Sequence, residues 1–125
     1  MEKAKERLNQ VLETHFCDLE ETTLQESILK KAVENYFEYF GLSKYIKIFN
    51  ALSDEKRIRI MMLLTMREMC NCELTAATGS SQPNLTYHIK ILENAGLVVH
   101  RRQGKFIYYS LIQDATTNKI LNILK

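Results

Sequence analysis

The chain has 125 residues, of which 46% are hydrophobic and 26% charged, with a formal net charge of +2 and three cysteines. That balance fits one soluble domain with a modest core, no run approaches the roughly 18 apolar residues of a membrane span, and three cysteines are too few, and odd in number, for a disulfide scaffold. A charge so near zero does not announce a nucleic-acid binder, so such a reading has to rest on where the charges lie.

The start, MEKAKERLNQ, is charged and lacks an apolar signal region, which places the protein in the cytoplasm as an expectation. Ala4, Leu8, Val11, Leu12 and His15 recur at three- and four-residue spacing and predict an amphipathic helix over 2–16. Asp18, Glu20 and Glu21 interrupt it. A second helix is predicted from Leu24 to Phe40, with Gly41 as its stop, and a short third one after Ser43 carries Tyr45, Phe49 and Leu52. Ser53 is the expected cap of the next helix, with Asp54 and Glu55 in its first turn. There Ile58, Met61, Met62 and Leu64 are expected to point inward and Arg57 and Arg59 outward.

Glu73 to Thr78 reads as a short helix stopped by Gly79. Ser80 or Ser81 caps another, with Pro83 in its first turn, and that helix ends at Gly96. The period then changes. LVVHRRQGKFIYYSL (97–111) is rich in β-branched and aromatic residues around Gln103-Gly104, a hairpin signal. Asp114 caps a closing helix that carries Ile120, Leu121 and Leu124. The expected fold is mainly α with a two-stranded β-wing, a winged helix-turn-helix. Residues 1–22 are expected to form an N-terminal extension, and 23–125 the winged helix-turn-helix domain.

On a wheel of about 100° per residue, Leu85, Ile89 and Leu92 share a core-facing side of the helix over 82–95, and Tyr87, Lys90 and Asn94 fall opposite, with Thr86 on the flank. Ser80, Ser81, Gln82 and Asn84 sit at its N-terminal end, where free backbone N–H groups suit a phosphate. Gln82 and Asn84 can pair with adenine edges, and Thr86 and Tyr87 can contact backbone or a thymine methyl. His88 lies at the edge of the buried stripe, where phosphate contact and packing are both open to it. His100, Arg101, Arg102 and Lys105 crowd the hairpin tip. Like charges across a strand pair destabilise it, and a polyanion removes that cost.

The stretches ALSDEKRIRIMMLL and MCNCELTAATGSSQPNLTYHIKILENAGLVVHRRQGKFIYYSL, about residues 50–111, resemble the ArsR/SmtB family of prokaryotic metal-responsive repressors. The resemblance implies a homodimer joined through its N-terminal and C-terminal helices. It also implies a recognition helix in the major groove of double-stranded DNA and a palindromic operator with half-sites about one helical turn apart. No cofactor is required for DNA binding itself.

Cys70 and Cys72 then acquire a meaning. In the family, thiolate ligands for arsenite, cadmium, lead or related ions stand at the opening of the helix before the recognition helix, where the helix dipole suits an anionic sulfur. Asn71 or Cys70 would cap that helix. Two sulfurs are short of a full set. The arsenic-sensing place for a third, three residues on, is Thr75 here. The cadmium-sensing branch takes ligands from an N-terminal extension, so Cys17, with His15 beside it, completes a trigonal thiolate or a tetrahedral set fit for zinc or cadmium. The second family site, on the closing helix, lacks its histidines: Asp114 is followed by Ala115 and Thr116, and no histidine follows His100. Other readings stay open: Cys17 as core filler, the two close thiols as an oxidation switch or as a vestige, and Met61, Met62, Met66 and Met69 as core.

The function these readings support is a repressor released from its operator by a soft metal or metalloid ion. A redox-responsive or ligand-independent winged-helix regulator and a protein-interaction module are the alternatives. A CxC is not a CxxC, and no paired acid and base or phosphate loop is present, so an enzyme is not expected.

Overall fold

The computed structural model describes residues 2–13 and 22–124, so Cys17 and His15 lie outside the described residues. The chain divides into two compact units, one running to Tyr45 and the other starting at Ile46.

In the first unit α1 (Glu2–Leu12) packs against α2 (Thr22–Phe40). Leu8 is buried, whereas Leu24, Ile28, Phe37 and Phe40 stay exposed along α2. At the end of α2 Tyr36 stacks on Phe40 at 5.9 Å, and Tyr45 lies tilted against Phe40 at 5.9 Å.

The second unit contains the end of α3 (Leu42–Ala51), then α4 (Glu55–Met66), β1 (Met69–Cys70), α5 (Asn71–Thr78), α6 (Gln82–Asn94), β2 (Val98–Gln103), β3 (Phe106–Leu111) and α7 (Ala115–Leu124). Its core joins Ile48 and Ala51 of α3, Ile60, Met61 and Leu64 of α4, Leu74 of α5, Leu85, Ile89 and Leu92 of α6, and Val98, Tyr109 and Leu111 of the hairpin. Among the described residues no helix is long and apolar enough to cross a membrane.

The sheet has three strands, order β1-β3-β2, all antiparallel, where two were expected. Met69 and Cys70 pair with Tyr109 and Tyr108 of the wing. A two-residue strand has no period to read; it exists because β3 offers it a free edge. The hairpin closes over Gly104-Lys105, between Gln103 and its partner Phe106. Gly104 has φ 62, and no other residue type in the loop has a positive φ, which is the two-residue turn that wants glycine first.

Two helix starts differ from expectation in instructive ways. Asp54, not Ser53, caps α4, its carboxylate accepting from the Lys56 N–H at 2.8 Å and the Arg57 N–H at 3.3 Å. Ser53 instead donates its hydroxyl to the Asn50 carbonyl (2.7 Å), an open acceptor at the end of α3. Arg57 was expected to face water. Its Nε donates to the Ala51 carbonyl (2.7 Å) and NH2 to the Asn50 carbonyl (3.2 Å), so it closes the same helix end. Met62 turns outward, 48% exposed, while Arg59 faces out as expected and pairs with Glu55 at 2.5 Å.

Candidate nucleic-acid interface

Helix α5 ends at Gly79, whose φ of 68 is the left-handed conformation a helix stop needs. Thr78 Oγ1 then reaches Ser80 Oγ at 3.1 Å across the turn. Ser81 is the cap of α6, its hydroxyl accepting from the Asn84 N–H at 3.3 Å, and Pro83 stands in the first turn, where a missing N–H costs little. The turn between α5 and α6 is thereby fixed from both sides.

On α6, Leu85, Ile89 and Leu92 are buried, while Gln82, Thr86, Tyr87 and Lys90 are exposed and Asn84 is half-buried. The Thr86 hydroxyl donates to the Gln82 carbonyl (2.9 Å). Tyr87 is 61% exposed. The arrangement is a capped helix with a polar row on one side and a packed row on the other.

His88 leaves that exposed set. It is 7% exposed and lies on the packed side. Its Nδ1 is 3.1 Å from Arg57 NH1. An arginine nitrogen only donates, so Nδ1 accepts and the imidazole is neutral. Burial pushes the His88 pKa below its ordinary value; Asp54, at 3.8 Å, works against that, while Arg57 and Lys56 reinforce it. A neutral, enclosed histidine has no surface to offer a phosphate. Its position at the edge of the stripe left both roles open; here it lies buried beside the carbonyl-bound Arg57.

The wing cations divide into two kinds. Arg101 donates through Nε and NH2 to both carboxylate oxygens of Glu68 (3.0 and 2.5 Å) and through NH1 to Gln103 Oε1 (2.8 Å). It also lies 4.7 Å from the Tyr108 ring centroid. That fork holds the Glu68 carboxyl below the usual range. His100 Nδ1 is 2.7 Å from Glu93 Oε2. Arg102 and Lys105 are exposed and have no ion-pair partner among the described residues; Lys105 stands 5.7 Å over the Phe106 ring. Glu68, Tyr108 and Arg57 were not singled out by sequence. The partner of Arg101 is 33 residues away, beyond any local pattern.

Cys70 caps α5 and is buried, and Cys72, in the first turn, is exposed; both thiols are free. The Cys70 N–H donates to Glu73 Oε1 at 3.2 Å, and Glu73 also pairs with Arg67. The Arg67 guanidinium, then the Cys70 N–H, pull the Glu73 carboxyl down to about 2. Thr75, at the place of a third family sulfur, spends its hydroxyl on the Cys72 carbonyl (2.8 Å). Among the described residues no three His, Cys, Asp or Glu side chains come together as a metal site. The sulfurs suit a soft ion but supply only two donors.

The model of the bacterial regulatory protein family arsR matches residues 54–99, the span from the cap of α4 into the wing. The arsenical resistance operon repressor of Escherichia coli (strain K12) is 40% identical over 67 residues, 53% of this chain; the chain spans 57% of that protein's length. The arsenical resistance operon repressor of Bacillus subtilis (strain 168) is 40% identical over 82 residues, 65% of this chain and 77% of that protein. A homodimeric winged helix-turn-helix DNA-binding domain from Mycobacterium bovis, solved in solution, superposes with a TM-score of 0.63 at 23% identity, over 70% of this chain and 81% of that one.

Proposed function

The chain belongs to the arsR family of bacterial regulatory proteins, a family of regulators rather than enzymes, and on that premise we propose that it is a DNA-binding repressor released by a soft ion at cysteine thiolates. The observation that carries the DNA reading is the exposed polar row of α6 behind its Ser81 cap. In this reading Ser80, Ser81 and the first N–H groups of α6 meet phosphate. Gln82 and Asn84 read base edges, Thr86 and Tyr87 contact a thymine methyl or the backbone, and Lys90, Arg102 and Lys105 meet phosphates. His88 takes no part, and Arg101 enters only by giving up Glu68.

Double-stranded DNA is taken by a homodimer in this reading. The apolar side chains exposed on α2 and Ile123 on α7, 82% exposed, are the kind of surface that wants a cover. The Mycobacterium bovis relative is a homodimer. Two-fold symmetry then calls for a palindromic operator.

Cys70 and Cys72 are the proposed thiolate donors. Bound there, a soft ion such as arsenite, cadmium, lead or zinc supplies a tie between sulfurs that the chain alone does not have. The Arg67–Glu73 pair and the N–H of Cys70 fix the backbone around the first sulfur, and Cys72 stands open to solvent. Release requires that the ion bind the DNA-incompetent state better, and DNA must weaken ion binding by the same factor.

The experiment is a mobility shift of the reduced chain on its own promoter, at several salt concentrations, with and without Cd(II) or arsenite. Retardation that weakens steeply with salt is expected, with release by the ion. Cys72→Ser keeps the retardation and loses the release, and Cys17→Ser reports whether a third sulfur is needed. Binding that ignores salt overturns the DNA reading. Release that survives Cys72→Ser overturns the thiol reading.

A further inference from the structure

Glu68 lies one residue before β1, and Arg101 lies in β2. The fork between them, with Nε to one oxygen and NH2 to the other, is the geometry with which an arginine takes a phosphate. Tyr108 supports it from below, its ring stacked under the guanidinium. The register explains why these groups meet. Cys70 pairs with Tyr108 across β1 and β3, and Tyr108 pairs with Arg101 across β3 and β2. Directly paired residues share a sheet face, so Cys70, Tyr108 and Arg101 form one cross-strand row, and Glu68 lies two residues before Cys70.

The fork is open to exchange. The Arg101 and Glu68 side chains are 52% and 33% exposed, so water and salt reach both. Arg102 and Lys105, further out on the wing, have no such partner among the described residues.

We propose that Glu68 is an internal competitor of DNA phosphate for Arg101, a positioning residue that sets how much the wing contributes to duplex binding. The inference rests on the DNA-binding reading above. In the free chain Arg101 lies over the Tyr108 ring, forked onto Glu68. To touch a duplex it exchanges a carboxylate for a phosphate, so the wild-type wing gains less from that contact than its count of cations suggests. Glu68 also denies the wing a fixed positive charge when no DNA is present, which weakens loose capture by other polyanions.

The test uses the full reduced chain and a fluorescein-labelled duplex of arbitrary sequence, with binding followed by anisotropy between about 50 and 200 mM salt. Wild type, Glu68→Gln, Arg101→Ala and the double variant are compared, each checked for an unchanged circular dichroism spectrum. Glu68→Gln is expected to bind several-fold tighter, with a slope of log K against log salt steeper by up to about 0.9. In the Arg101→Ala background the same change at 68 has no such effect. A gain that persists without Arg101 reflects net charge alone and overturns the proposal, as does wild-type binding that Glu68→Gln leaves unchanged. If neither wild type nor Glu68→Gln binds the duplex at any salt, the DNA reading fails and carries the proposal down with it.

Discussion

Along α6 the exposed Gln82, Tyr87 and Lys90 have no ion-pair partner among the described residues, whereas in the wing Arg101 is forked onto Glu68 and His100 lies against Glu93. The helix has its surface ready and its position fixed from behind. The wing has its surface partly occupied and its position fixed by strand pairing and by Val98, Tyr109 and Leu111 in the core. The difference follows from geometry. A helix separates its faces by its own period, so a polar row can stay clear of the packed one. A hairpin two strands wide lays its side chains flat against whatever neighbours the sheet, here the acidic residues before β1 and on α6.

The contrast between the two faces of α6 is the largest effect on offer. Leu92 is fully buried, so Leu92→Ala is expected to lower stability by about 2–5 kcal/mol. Tyr87→Ala, at an exposed site, is expected to stay within about 0.5 kcal/mol while weakening DNA binding. Urea unfolding monitored by circular dichroism reads the first quantity and anisotropy the second. A helix whose Tyr87→Ala variant lost as much stability as Leu92→Ala would have no free face, and the comparison would collapse.

How far the sequence reached follows the same physics. The stripe Leu85, Ile89, Leu92 was legible because three apolar residues at helical spacing have one place to go. Gly79, Gly104 and Asp114 were legible, and Ser81 as one of two candidates with Ser80, because a cap, a stop and a turn demand particular side chains. Arg57 was not, because propensity assigns an arginine to water and takes no account of the open carbonyls of Asn50 and Ala51. Met62 was not, because helix α4 is apolar on more than one side. Strand β1 and the Glu68–Arg101 fork were out of reach altogether: each is made by residues more than thirty positions apart. The candidate site divides accordingly, with the reading helix visible from its period and the state of the wing visible only in three dimensions.

Acid separates the regions differently, because His88 belongs to the packed side of α6. Its pKa is lowered by burial, so the unfolded chain takes the proton more readily than the folded one. The stability that neutral His88 contributes is therefore full above its unfolded value of 6.5 and is lost as pH falls below that toward the lowered folded value. One proton limits the slope to about 1.4 kcal/mol per pH unit. Asp54, also lowered, acts in a separate window below its ordinary value of 3.8. Unfolding free energies from about pH 7 to about pH 5.5 are expected to fall for wild type and to fall less for His88→Gln. Equal slopes for the two proteins would mean that His88 is not the group titrating behind the helix, and that Arg57 tolerates a cation beside it.

The smallest effect is the most discriminating, because it sets two neighbouring arginines on one strand against each other. Arg102 has no ion-pair partner among the described residues and Arg101 has Glu68. Truncating a cation that meets phosphate removes about 0.9 from the salt slope of duplex binding. Arg102→Ala is expected to lose that full amount. Arg101→Ala is expected to lose less, since its wild-type contact is bought at the expense of the Glu68 fork and is incompletely made. Over a fourfold change in salt a slope difference of about 0.9 amounts to roughly a threefold difference in affinity, within reach of anisotropy. Equal losses would make the wing a uniform patch of charge, with Glu68 no obstacle to it. A larger loss at Arg101 would reverse the order, since Glu68 would then be holding the guanidinium in the orientation the duplex requires.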